Sequence, residues 1–347
     1  MPITYAYPQQ GGIWRLNTQS QAKGQNIWAQ LKKPYLYTWG SGQYGNGVGQ
    51  GGIASYSSPV QITSSVLWSN FAHTTNGGAV ATKADGTLWA WGYNGNGELG
   101  LGNRTYYSSP MQVGALTNWL NVSGSYSVLA IKTDGTLWSW GKNNYGQLGL
   151  NNTTYYSSPM QVGALTNWSQ VCCGPLYSLA IKTDGSLWSW GVNGGGNLGL
   201  GNRTYYSSPK QVGALTNWAS IAIAQGASLA IKTNGTLWSW GANIHGELGL
   251  GNTTYYSSPK QVGALTNWAT LSNNSNNNGS SFAIKTDGTL WAWGVNNNGQ
   301  LGLNNITYYS SPKQVGALTN WTSVSSYATV TAGIKKDATL WMWGRNL

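Results

Sequence analysis

From Ser178 to Gly191 the chain reads S-L-A-I-K-T-D-G-S-L-W-S-W-G. Two short apolar runs flank Asp184-Gly185. Neighbouring side chains in such runs point to opposite faces, at the strand period of two, so Trp188 and Trp190 share a face. Asp-Gly between the runs predicts a hairpin closed by a type I′ turn, which needs positive φ at both central residues. Equivalent turns stand at Asp85-Gly86, Asp134-Gly135, Asn234-Gly235 and Asp287-Gly288. Upstream, Gln161–Leu165 (Q-V-G-A-L) and Asn167–Val171 (N-W-S-Q-V) supply two more short strands. Each unit therefore reads as up to four antiparallel strands, and no helical period occurs.

The unit is copied. W-x-W-G places its glycine at 92, 141, 191, 241, 294 and 344, with the variant Tyr37-Thr38-Trp39-Gly40 before them. A period near fifty residues predicts a solenoid or a propeller. No capping repeat is visible, and one unit cannot bury both faces of its sheet. Packing the units around a ring buries them and leaves short edges. The expected fold is all-β, a seven-bladed β-propeller. Strands near 13–17, 26–31 and 35–39 would make a degenerate first blade; the alternative is six blades plus an N-terminal arm. Residues 1–34 are then the N-terminal segment and residues 35–347 the propeller.

Tryptophan is the residue that would fill such a ring. The pairs Trp89 and Trp91, Trp138 and Trp140, Trp188 and Trp190, Trp238 and Trp240, Trp291 and Trp293, and Trp341 and Trp343 are the expected core between blades. A buried indole removes ~150–250 Å² from water, several kcal/mol at ~25 cal/mol/Å² as an upper bound.

Trp140–Asn152 (W-G-K-N-N-Y-G-Q-L-G-L-N-N), followed by Pro159 and Val162, resembles the repeat of the regulator of chromosome condensation family. The matching positions return at Trp91-Gly92, Asn94, Gly97, Leu99 and Gly100. They return again at Trp190-Gly191, Trp240-Gly241 and Trp293-Gly294. The resemblance covers roughly residues 36 to 347 and implies a seven-bladed propeller. Members that catalyse nucleotide exchange on a small GTPase present acidic and His residues on one face. This chain departs from that pattern. It has seven acids in all, with Asp85, Asp134, Asp184, Asp287 and Asp337 in turns and Glu98 and Glu247 in the G-E-L-G loop. Exchange activity and acid-based histone binding are therefore not expected.

Charged residues are only 7% of the chain against a usual ~25%. The net charge of +11 is spread without a Lys or Arg run, so mild attraction to anionic partners is expected and specific nucleic-acid binding is not. No apolar run approaches the ~18 residues of a membrane span, so no membrane insertion is expected. Cys172 and Cys173 read as small packing residues. His73 and His245 lie in unrelated loops, and Glu98 and Glu247 are three units apart. Hence no catalytic residue, metal site or cofactor is expected, and the protein reads as non-enzymatic.

Comparison of the copies shows where they differ. T-Y-Y-S-S-P and Q-V-G-A-L-T-N-W barely change across five copies. The loop after W-G and the turn before the inner hairpin change freely. Whether these two sets share one face is open from sequence. As a recognition surface they offer Tyr126, Tyr177, Tyr327, Asn273, Asn276, Asn278, Tyr145 and His245. The constant Tyr-Tyr pairs read either as packing with a bonded hydroxyl or as a ring of weak equivalent sites.

The N-terminal stretch Gly11–Tyr37 resembles short G-x-W-[RK] repeats at the start of structural proteins of marine tailed phages. That resemblance implies a virion surface protein, as fibre, knob or decoration, made in the host cytoplasm without a Sec signal. Trp14, Arg15 and Trp28 would anchor it to other virion proteins, and the propeller would meet a host glycan or protein. Homo-oligomerisation stays open. A cellular scaffold for protein–protein interaction is the alternative; a lectin-like glycan-binding or glycan-cleaving protein is a further one.

Overall fold

A computed structural model describes residues 13–15, 36–40, 48–52, 54–62, 66–272, 279–327 and 329–345. Its hairpins are set by their own turn residues. Ser186 donates to Asp184 Oδ1 through its backbone N at 2.9 Å and through Oγ at 2.6 Å. Gly185 N donates to Lys182 O at 2.9 Å, and Lys182 N to Ser186 O at 3.0 Å. Only Gly185 takes positive φ, 78°. The loop is thus a three-residue connection ending in a left-handed glycine, not the two-residue type I′ turn expected. A Cβ on Gly185 would sit 2.2 Å from the Thr216 carbonyl oxygen, so close approach as well as φ requires glycine there.

Four strands follow one another outward from the axis. In the third blade they are Trp168–Cys173, Tyr177–Lys182, Leu187–Gly191 and Tyr206–Gln211, all antiparallel. The same order holds in the blades beginning at Trp68, Trp119, Trp218 and Trp268. A sixth blade, Trp321–Tyr327, Val330–Lys335 and Leu340–Gly344, has three strands among the described residues. The inner strands of the first five blades touch in succession, and that of the sixth touches the second strand of the fifth. His73 on the first inner strand meets Tyr327 on the sixth, with ring centroids 4.8 Å apart.

The seven-blade count is not matched: six blades carry an inner strand. The N-terminal region contributes a separate three-stranded sheet, Ile13–Arg15, Leu36–Gly40 and Tyr56–Gln61, with no inner strand among the described residues. Of residues 1–35 only Ile13–Arg15 is described, and it takes the second-strand place beside Leu36–Gly40. The six-blade alternative fits, yet Ile13–Arg15 pairs with Leu36–Gly40 rather than standing apart as an arm. The strand expected over 26–31 lies outside the described residues.

Indoles fill the seams. Trp190 is fully buried against Leu129, Ile131 and Leu137 of the preceding blade. Its Nε1 donates to Gln147 O of that blade at 2.9 Å. Trp91, Trp140, Trp240 and Trp293 are equally buried. Their partners Trp89, Trp138, Trp188, Trp238 and Trp291 are half-buried at the seam rim. There a lysine covers them: Lys182 Nζ lies 3.8 Å from the Trp188 ring and 5.0 Å from Trp168. Burial pushes the Lys182 pKa down. Trp341 departs from the expected core. It is 49% exposed, and Trp343 is half-buried, because the sixth blade has no outer strand over them among the described residues.

Two stability outcomes follow from these positions. Trp190→Ala should cost about 3–5 kcal/mol by urea unfolding, while Trp341→Ala should cost under about 1.5 kcal/mol. Ala338 holds φ 58° where the five equivalent turns carry Gly. Ala338→Gly should therefore gain about 1 kcal/mol in the same measurement.

Candidate functional site

Antiparallel order sends two connections of each blade to the same face. The inner hairpin turn and the long loop after W-G both emerge there, and the Asp-Gly turns and G-A-L-T-N connectors emerge opposite. We call these the loop face and the turn face.

On the loop face a constant asparagine holds each long loop. Asn193 is fully buried, and its Nδ2 donates to Asn202 O at 2.9 Å and Thr204 O at 3.1 Å. Its Oδ1 accepts from Leu198 N at 2.9 Å. Asn94, Asn143, Asn243 and Asn296 accept the same backbone N–H in their own loops. A second position pins the tip. Gln147 Oε1 accepts from Tyr145 N at 2.9 Å, and Gln300, Asn197, Glu98 and Glu247 fill the same role. Glu98 and Glu247 are therefore buried loop pins on the first and fourth blades, not a converging pair. Only the residues between the pins are free to differ, and they are displayed.

The two variable sets lie side by side. Lys142 N donates to Tyr126 O at 3.0 Å, joining the long loop to the hairpin turn of one blade. Lys142 Nζ lies 4.6 Å from the Tyr126 ring. Val192 to Leu176, Ala242 to Gly226, Val295 to Gly279 and Arg345 to Thr329 repeat that bond. The face shared by both sets, open from sequence, is thus one surface.

Not every expected contact residue reaches it. Tyr126 is half-buried and Tyr145 is 39% exposed, its ring edge-on to Tyr205 at 6.2 Å. His245 is half-buried against Tyr308, with Nδ1 3.2 Å from Glu247 Oε1. Tyr327 is half-buried on His73, near the axis. Tyr177 is a correction: it is 2% exposed, with its hydroxyl donating to Ala227 O and accepting from Ser228 Oγ, both at 3.0 Å. It opens a second strand and faces the seam, so it cannot touch a partner. Asn273, Asn276, Asn278 and Trp28 lie outside the described residues. Of Trp14 and Arg15 only the strand Ile13–Arg15 is described.

The Tyr-Tyr pairs divide their work. The second Tyr accepts from a loop asparagine, as Tyr156 Oη does from Asn152 Nδ2 at 3.2 Å. The first is displayed at Tyr106, Tyr205 and Tyr308, which are 41–50% exposed. Sequence reasoning also passed over Lys142 and Ile244, the latter 60% exposed at a loop tip. Their signal was only that their position varies between copies.

The electrostatics of the faces differ. All five aspartates sit in Asp-Gly-type turns on the turn face, and both glutamates are buried. Among the described residues the loop face therefore shows cations, Lys142, Arg104 and Arg203, without an exposed carboxylate. No cluster of three or more His, Cys, Asp or Glu suited to a metal occurs among the described residues. Burial pushes the Cys173 thiol up to about 12, so it stays protonated at neutral pH.

Burial raises the Glu98 pKa. A carboxyl whose folded pKa is raised favours folding below its unfolded pKa and opposes it as pH rises through the folded value. Glu98→Gln, the residue standing at 147 and 300, should then raise the urea midpoint at pH 7. That gain should vanish below about pH 4, where wild type is protonated in both states.

The repeat model named Regulator of chromosome condensation (RCC1) repeat matches residues 85–131, 134–181, 184–231, 234–272 and 287–332, more than half of the chain. The ultraviolet-B receptor UVR8 of Arabidopsis thaliana is 35% identical over 81 residues, which is 22% of this chain and 18% of that receptor's length. Human WBSCR16 superposes with a TM-score of 0.76 at 20% identity, over 90% of this chain and 88% of the other. Prp20p of Saccharomyces cerevisiae, studied for binding to Gsp1p and histones, gives 0.75 at 19% identity, over 90% and 81%. The likeness to these two structures is one of fold. The matched repeats cover the indole seams and the pinned loops alike, and on that ground the chain belongs to the regulator of chromosome condensation (RCC1) repeat family.

Proposed function

We propose that this chain is a non-catalytic propeller that binds a protein partner on its loop face. The observation that carries the reading is the backbone pairing of the two variable loop sets, Lys142 on Tyr126 and its four counterparts. A rigid constant frame then displays a varied, aromatic and cationic surface, the pattern of a recognition site. Prp20p supports protein binding as the mode: it is studied with Gsp1p and histones, and a crystal structure shows Kap60 bound to it. Here the displayed cations favour a partner with an acidic surface, with affinity that falls as salt rises. A cellular interaction scaffold is the setting these relatives support. The virion placement expected from the N-terminal stretch draws no support from them, and most of that stretch lies outside the described residues.

Partners captured from extract and quantified by mass spectrometry test the face. Tyr126→Ala with Lys142→Ala should cut recovery of the specific partner about tenfold or more. Leu215→Ala, on the turn face, should leave recovery unchanged. The reverse pattern would move the site to the turn face and overturn the reading.

A further inference from the structure

Five of the six blades set an aspartate beside their seam lysine, and one does not. Lys83, Lys132, Lys182, Lys285 and Lys335 each stand two residues before a turn aspartate, and the charges of the two act on each other. In the fourth blade the turn residue is Asn234. It still closes the turn: its Oδ1 accepts from Thr236 N at 3.2 Å and from Thr236 Oγ1 at 2.7 Å. The turn is kept and only the charge is gone. Lys232 is 7% exposed, and among the described residues no carboxylate acts on it. A notch of about 320 Å³ opens at the same seam, lined by Leu200, Val212, Leu215, Trp218, Trp238 and Pro259. Its two indole walls are the rings that hold the ammonium. Lys232 Nζ lies 3.7 Å from the Trp238 centroid and 4.8 Å from that of Trp218. A second cation borders the seam: exposed Lys210 lies 5.4 Å from Tyr206, which packs on the same cluster of buried residues.

We propose that this notch binds a small organic monocarboxylate, with its apolar body against the indoles and Leu215 and its carboxylate paired with Lys232. An ammonium drawn out of water without a counter-ion is costly, and a bound carboxylate offsets that cost. Apolar walls around one charged group are the usual make-up of a small-molecule site. The volume is near the lower end for such sites and suits a body of about ten carbon atoms or fewer. The other seams repeat the indole pair and the lysine, but there the turn aspartate already answers the ammonium and repels an anion. The site therefore belongs to the seam between the third and fourth blades. It borders the turn-face connector that holds Val212 and Leu215, and it needs no partner on the loop face.

Isothermal titration of the full chain with 3-phenylpropionate, at about 0.15 M salt to screen the overall positive charge, tests the site. A Kd of about 1 mM or lower is expected. Neutral 3-phenylpropionamide, which lacks the charge, and acetate, which lacks the apolar body, should each bind at least about tenfold more weakly. Asn234→Asp restores the arrangement of the other five blades, so the urea midpoint should stay close to wild type. Its affinity for 3-phenylpropionate should nevertheless fall about tenfold. Leu215→Ala removes a half-exposed wall of the notch and should weaken 3-phenylpropionate several-fold. No binding of 3-phenylpropionate in the millimolar range would overturn the proposal. So would equal affinity for the acid and its amide, or acetate binding as tightly as the longer acid. Unchanged affinity in either variant would overturn it as well, since the carboxylate or the body would then lie elsewhere.

Discussion

The structure depends on one repeated bond: the second indole of W-x-W donates to a loop carbonyl of the preceding blade. Trp140 reaches Glu98 O, Trp190 reaches Gln147 O, Trp240 reaches Asn197 O, Trp293 reaches Glu247 O and Trp343 reaches Gln300 O, all at 2.8–2.9 Å. A buried indole N–H left unpaired would cost the full desolvation of that donor. The acceptor is a backbone carbonyl, so its side chain is free to be Glu, Gln or Asn. That carbonyl belongs to the pinned loop of the loop face. Seam packing and loop geometry are therefore one constraint: a loop that moved would strand an indole, and an indole lost would release a loop.

This constraint separates what the copies must keep from what they can change. The asparagine pin, the left-handed glycines and the aromatic seam are all committed to backbone contacts. Even lysine is drawn in. Lys83, Lys132, Lys182, Lys232, Lys285 and Lys335 each lie 3.3–3.8 Å from the centroid of the first W-x-W ring. A chain with so few charges thus spends a third of its cations on its own seams, where the indole face stabilises them and water is partly excluded. The aspartates close turns on one face, the glutamates are buried, and among the described residues the remaining cations are half-buried or exposed. The charge that the loop face presents comes from this sorting more than from net charge.

Much of the fold could be read without coordinates. The hairpins, the unit length, the ring and the placing of indoles at its seams all follow from periodicities that are local and repeated. What failed to read through was of another kind. The type I′ expectation missed because Asp184 spends its side chain on Ser186, which stabilises a three-residue loop. Tyr177 looked like a displayed aromatic in a variable turn, yet it begins a strand facing the seam. Trp341 matched its repeat perfectly and is exposed, because burial in the other copies comes from a neighbouring strand rather than from the motif.

Sequence alone determined the strand alternation and the toroidal repeat, since each is a property of one unit copied. Tertiary structure alone decided that the two variable loop sets form one surface, which first Tyr of a pair is displayed, and how many inner strands surround the axis. Those facts depend on which ends of antiparallel strands meet and on what the next blade supplies. Spacing along a chain records neither.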